Sequence, residues 1–201
     1  MKGFRVWGLG FSLIIFVLLY PIPYTLGAIL ASENDIGYSS LDPSNPFYFI
    51  KGIREEIELK LALTPYVKHV RHLEFATRRL REARNLVDKN PSLIPASLER
   101  YTSNLNTLLD RRTISGELAL KIESSLTSHL FVLQKMHEDL KDNNAKRSIR
   151  SAVDKILRRP DIEKPARLKA CEFLKKEASS SALNQAEQIV TKERAQKCLG
   201  V

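Results

Sequence analysis

Two cysteines, one tryptophan and eight glycines are all that this 201-residue chain holds of those types, and the sparseness closes off several chemistries. There is no glycine-rich phosphate loop, no G-x-S-x-G elbow and no H-E-x-x-H helix. No stretch alternates apolar and polar residues long enough to suggest a sheet. Glutamates are plentiful, but most have a basic neighbour at helical spacing, such as Glu74 with Arg78. Such pairs read as solvated ion pairs rather than an acid–base couple. The sequence therefore points away from an enzyme and names no cofactor.

Acidic residues are also missing from Met1 to Ala31, where Lys2 and Arg5 precede an uncharged, mostly apolar run from Val6 to Tyr20. Pro21 and Pro23 follow, then small residues at Thr25, Gly27, Ala28 and Ala31. That order is the pattern of a secretory signal peptide. Val6 to Leu30 is also long enough to span a bilayer if the prolines are tolerated, since a spanning helix needs about 20 apolar residues. Residues 1–31 are thus expected to be a cleaved signal or a retained membrane anchor, and both remain open. Either way the rest of the chain is expected outside the cytoplasm, secreted, periplasmic or at the cell surface. Residues 32–40, SENDIGYSS, are polar and turn-rich and read as a linker.

Two helix starts follow. Asp42-Pro43-Ser44-Asn45-Pro46 offers Ser44 or Asn45 as a cap and Pro46 as a first helical residue. Ile50, Ile53, Ile57 and Leu61 then form one apolar face, widened by Phe47, and are expected to join the core. Thr64-Pro65 is the second start. From it His69, Leu73, Ala76, Leu80, Ala83 and Val87 step by four and three, the seam of a helix packed on another helix.

Pro46-Phe47-Tyr48, Leu61-Ala62-Leu63, Thr64-Pro65 and the core Ala76-Thr77-Arg78-Arg79-Leu80-Arg81-Glu82-Ala83 resemble the bacterial domain of unknown function family numbered 5667. The likeness continues more weakly through Leu98-Glu99-Arg100-Tyr101 and His129 to Leu140, covering about residues 41–156. The family more often has Asp where Thr64 stands, but Thr64 can still cap. The resemblance implies an exported, all-helical domain and brings no catalytic residues.

Further breaks divide the remainder. Pro95 opens a helix with Leu98, Tyr101, Leu105, Leu108 and Leu109; Ser115 is a candidate cap for the next, with Leu118, Ile122, Leu126, His129, Leu133, Met136 or His137, and Leu140. Asp142-Asn143-Asn144 precedes Ile149, Val153, Ile156 and Leu157, and Pro165 opens a helix with Leu168, Cys171 and Leu174. Ser179 to Ser181 joins it to a last helix with Leu183, Ala186, Ile189, Val190 and Leu199. The expected fold is an all-α antiparallel bundle of six to seven helices after the targeting segment. Residues 41–157 are its main body, and residues 158–201 are a helical hairpin packed on it.

Candidate sites are few. His69 and His72 lie three apart on one helix, about 60° apart around its axis. They form a weak metal candidate, because zinc wants three or four ligands. The exported part carries 30 basic against 23 acidic residues, and Lys146 to Lys176 alone holds 11 against four. That stretch, with Arg150, Lys155, Arg158 and Arg159, is a candidate for anionic surfaces such as lipid headgroups, cell-wall polymers or nucleic acid. Its lack of aromatics other than Phe173 argues against single-strand stacking. The two cysteines, both beyond the export signal, are expected to pair as Cys171–Cys198. Straight antiparallel helices joined at Ser179–Ser181 would hold them too far apart, so a crossing angle or an early helix end is required. The leading functional expectation is a non-enzymatic interaction or structural module of the cell envelope, contacting an envelope or extracellular protein. Membrane contact through residues 6–30 follows if they are not cut.

Overall fold

The computed structural model describes Ile36 and residues 43–109, 114, 116–180 and 183–199. Among these residues the fold is all-α, with seven helices: α1 Tyr48–Lys60, α2 Pro65–Lys89, α3 Ile94–Leu109, α4 Glu117–Asp139, α5 Asn143–Leu157, α6 Lys164–Glu177 and α7 Gln185–Leu199. The expected targeting segment, and the 32–40 linker apart from Ile36, lie outside the described residues. Ile36 itself is buried in the core, and its carbonyl accepts a hydrogen bond from Arg81 Nε.

The helix ends follow the local chemistry. Thr64 accepts from the Val67 amide at 3.2 Å with Pro65 in the first turn of α2, as its sequence indicates. Asn45 Oδ1 accepts from the Phe47 amide at 2.9 Å, and the helix begins after it, two residues later than Pro46. Asp142 caps α5 through the Ala145 amide at 2.6 Å. Gly116 stands before α4 with φ of 60°, a left-handed conformation that side chains resist. Ser115, the expected cap there, lies outside the described residues. Asn184 and Glu187 form a reciprocal capping box at the start of α7, at 3.1 and 2.9 Å.

The seams of α2 to α5 bury as their spacing predicts. α2 and α3 pack most extensively, joined by the short 3-10 turn Pro91–Leu93; α4 lies on α2, and α5 on both α3 and α4. Leu80, Leu98, Leu105, Ile122, Leu126 and Leu133 are fully or almost fully buried, each worth about 1.5–3 kcal/mol of transfer free energy. One polar chain crosses this core. Thr77 donates its hydroxyl to the Leu73 carbonyl at 2.9 Å, so its oxygen can only accept from His129 Nε2 at 3.1 Å. His129 Nδ1 then accepts from the Tyr101 hydroxyl at 3.1 Å. The neutral Nε2–H tautomer is fixed by this accounting. Burial, with Arg81 nearby, pushes the His129 pKa down to about 3.

Cys171 and Cys198 are joined by a disulfide with Cα atoms 5.8 Å apart. The geometric objection dissolves because α6 stops at Glu177 and α7 begins only at Gln185. α7 does not run straight back from a serine joint. Ion pairs from Arg147 to Glu187 (2.6 Å) and from Asp154 to Arg194 (3.7 Å) step equally along α5 and α7. They align the two helices in the same direction. Two expectations fail here: Leu168 of α6 is exposed, and so are Ala186, Ile189 and Val190 of α7, whose buried residues are Thr191 and Ala195. Leu199 lies among residues whose side chains are not described.

Candidate functional site

The first helix is packed opposite to its expected sense. Ile50, Ile53, Ile57 and Leu61 were the face predicted to enter the core, yet all four are exposed, Ile53 by 54% and Leu61 by 66%. The side toward α2 is polar. Arg79 of α2 donates to both carboxylate oxygens of Glu82 at 2.9 and 3.0 Å, and also to Glu55 and to the Tyr48 hydroxyl of α1. Tyr48 donates its hydroxyl hydrogen bond to Glu82 Oε2 at 2.6 Å, and Lys51 reaches the other Glu82 oxygen. The Arg79 and Arg100 guanidinium groups lie 5.4 and 5.3 Å from the Tyr48 ring centre.

The reason is electrostatic. Glu82 is fully buried and Arg79 nearly so, and a buried ion pair needs its remaining lone pairs and protons satisfied. The Tyr48–Lys51–Glu55 side of α1 supplies those partners, whereas the isoleucine side has none. Burial works against the Arg79 charge, but Glu82 and Glu55 outweigh it and hold the guanidinium protonated. Burial raises the Glu55 carboxyl above its usual range, against the opposing pull of Arg79, Lys51 and Arg78.

With that side engaged, an apolar stripe roughly 120° wide points away from α2 at 100° per residue. It comprises Phe49, Ile50, Ile53, Ile57 and Leu61, and continues past the helix end through Leu63, which is 89% exposed, to Tyr66. Arg54, Lys60 and Lys68 flank it as exposed cations, Arg54 paired with Glu58 at 2.7 Å and Lys60 with Glu56 at 2.8 Å. Among the described residues no helix is long and apolar enough to cross a membrane.

The other predicted residues are distributed differently. Arg150 and Arg159 are buried and so leave the anionic-surface set. Arg150 donates to Glu177 at 3.1 Å beside His137. Burial, partly offset by Glu177, pushes His137 down to about 4. Arg159 grips Asp161 and donates to the Leu108 carbonyl at the end of α3. Arg158 is exposed and pairs with Asp154 at 3.1 Å, and Lys155 is half-buried. His69 is buried, and His72 lies 3.0 Å from the Asn104 side-chain oxygen. Among the described residues no group of three or more His, Cys, Asp or Glu is placed to hold a metal ion.

What the basic stretch does form is one wall of a cleft of about 400 Å³ beside the disulfide. Asp154, Leu157, Arg158, Arg167, Leu174, Arg194, Lys197 and Cys198 line it. Arg194 and Lys197 lie outside residues 146–176, which is why a charge count along the chain misses them. Their nearness to Cys198, read with the Cys171 pairing, is the signal that could have found them.

No curated protein and no solved structure matches the chain. The sequence model of the family described as Domain of unknown function (DUF5667) matches residues 40–146, which is more than half of the chain and spans α1 to α4 and the start of α5. The resemblance carried by the Pro46 and Ala76–Ala83 segments is therefore real, and the chain belongs to the DUF5667 family.

Proposed function

We propose that this chain is an exported, non-enzymatic helical module of the cell envelope that lies against the lipid surface through α1. The outward apolar face of α1 carries this reading. A stripe of Phe, Ile and Leu bordered by Arg and Lys is the composition of a helix resting in a bilayer interface, with its apolar side among the acyl chains and its cations at anionic headgroups. The apolar run Val6 to Leu30, with Lys2 and Arg5 before it, supports a membrane-proximal placement. The Cys171–Cys198 bond supports an oxidising compartment.

Tryptophan fluorescence of the full chain in vesicles of phosphatidylcholine and phosphatidylglycerol tests this. Trp7→Phe removes the native fluorophore, and Ile57→Trp or Leu168→Trp reports from α1 or from the exposed surface of α6. Brominated acyl chains are expected to quench the α1 reporter several-fold more than the α6 reporter. Equal quenching overturns the lipid contact. A blue-shifted but unquenched α1 reporter assigns the face to a protein partner or a second copy instead.

A second reading, contact with an extended anionic surface through residues 146–176, retains Lys155 and Arg158 as its candidates. It predicts salt-sensitive binding to anionic vesicles or polymers that weakens when both are reversed in charge.

A further inference from the structure

Four cations converge on the cleft beside the disulfide, and one carboxylate stands among them. Arg158 and Arg194 share Asp154 Oδ2, at 3.1 and 3.7 Å. Arg167 spends its donors on neutral groups, the Leu157 carbonyl at 3.1 Å and the Arg159 carbonyl, so its charge is not cancelled there. Lys197 is exposed at the rim. The formal charge of the lining residues is thus three positive. Leu157, Leu174 and Cys198 supply apolar lining, which lowers the local dielectric and focuses the field.

Three elements build this cleft: the end of α5, α6 from Arg167 to Leu174 and the last turns of α7. Such convergence of like charge costs free energy in the empty protein unless an anion relieves it. Arg167 also covers the carbonyl end of α5, whose partial negative charge would otherwise repel an anion.

We propose that this cleft binds a compact oligophosphate, two or more linked phosphates. Guanidinium forks such as those of Arg158 and Arg194 match tetrahedral phosphate oxygens in paired hydrogen bonds, while Arg167 and Lys197 add positive charge. A single phosphate ester carries about −1.5 to −2 at neutral pH and leaves part of the charge unmatched, whereas two linked phosphates balance it. The site is distinct from the α1 face and does not depend on contact with lipid.

Calorimetric titration of the detergent-solubilised full chain with inorganic pyrophosphate, at physiological salt, tests the assignment. Saturable binding at one site is expected. Arg194→Gln with Lys197→Gln should weaken it by at least about tenfold, and Arg158→Gln, at an exposed position, by a smaller factor. Far-ultraviolet circular dichroism confirms that each variant keeps its helix content. Absence of saturable binding, or affinity unchanged in both variants, overturns the site. Equal affinity for orthophosphate overturns the oligophosphate class.

Discussion

Arg79 of α2 holds Glu82, one turn further along, through hydrogen bonds to both carboxylate oxygens at 2.9 and 3.0 Å, and Tyr48, Lys51 and Glu55 of α1 give this buried pair its further polar partners. Arg79→Met would leave Glu82 and Glu55 without their guanidinium. Removing one partner of a buried pair typically costs about 3–5 kcal/mol, mostly from the stranded charge. Chemical denaturation should show a loss of that order. Adding Glu82→Gln should restore part of it, and no recovery would show that the cost lies elsewhere.

Acid should weaken the fold through His129. Its folded pKa is about 3, below the unfolded value of about 6.5. Between those values the unfolded chain binds the proton and the folded one does not. The stability contributed by the neutral imidazole is therefore complete above about pH 6.5 and falls as the pH drops. By pH 5 the loss from this group is about 2 kcal/mol. His137, pushed down to about 4 chiefly by burial, acts in the same direction. Thermal melts at pH 7 and pH 5 check this, and His129→Gln should flatten the difference.

Reducing the Cys171–Cys198 bond frees a constraint across a sequence separation of 27 residues. The chain-entropy model puts its value at about 3–4 kcal/mol. Dithiothreitol is expected to lower the melting temperature by roughly 10 °C. An unchanged melt would place the α6–α7 pair outside the cooperative unit.

What was legible in the sequence was the part governed by local chemistry. Thr64-Pro65 and Asp142 mark their helix starts, and the α2 and α4 seams bury almost to the residue, because a helical period identifies an apolar face directly. It does not say which face a neighbour will cover. In α1 the neighbour is a buried Arg79–Glu82 pair, and its demand for polar partners turned the isoleucines outward. In α7 the two bridges to α5, with the disulfide to α6, set the rotation and left Ile189 and Val190 exposed. The basic stretch misled for a related reason. Arg150 answers to Glu177 and Arg159 to the Leu108 carbonyl, partners far away in the chain that a charge count cannot see.

The proposed membrane contact requires α1 to face outward with its apolar side, and thermal unfolding of the Ile53→Gln/Ile57→Gln variant tests that most directly. Glutamine is a good helix former, and exposed substitutions stay within about 0.5 kcal/mol each. The predicted melting temperature is therefore within about 2–4 °C of the parent. If these isoleucines packed in a core instead, two buried polar replacements would cost several kcal/mol, about 10 °C or more. A drop of that size would contradict the outward face and the membrane contact built on it.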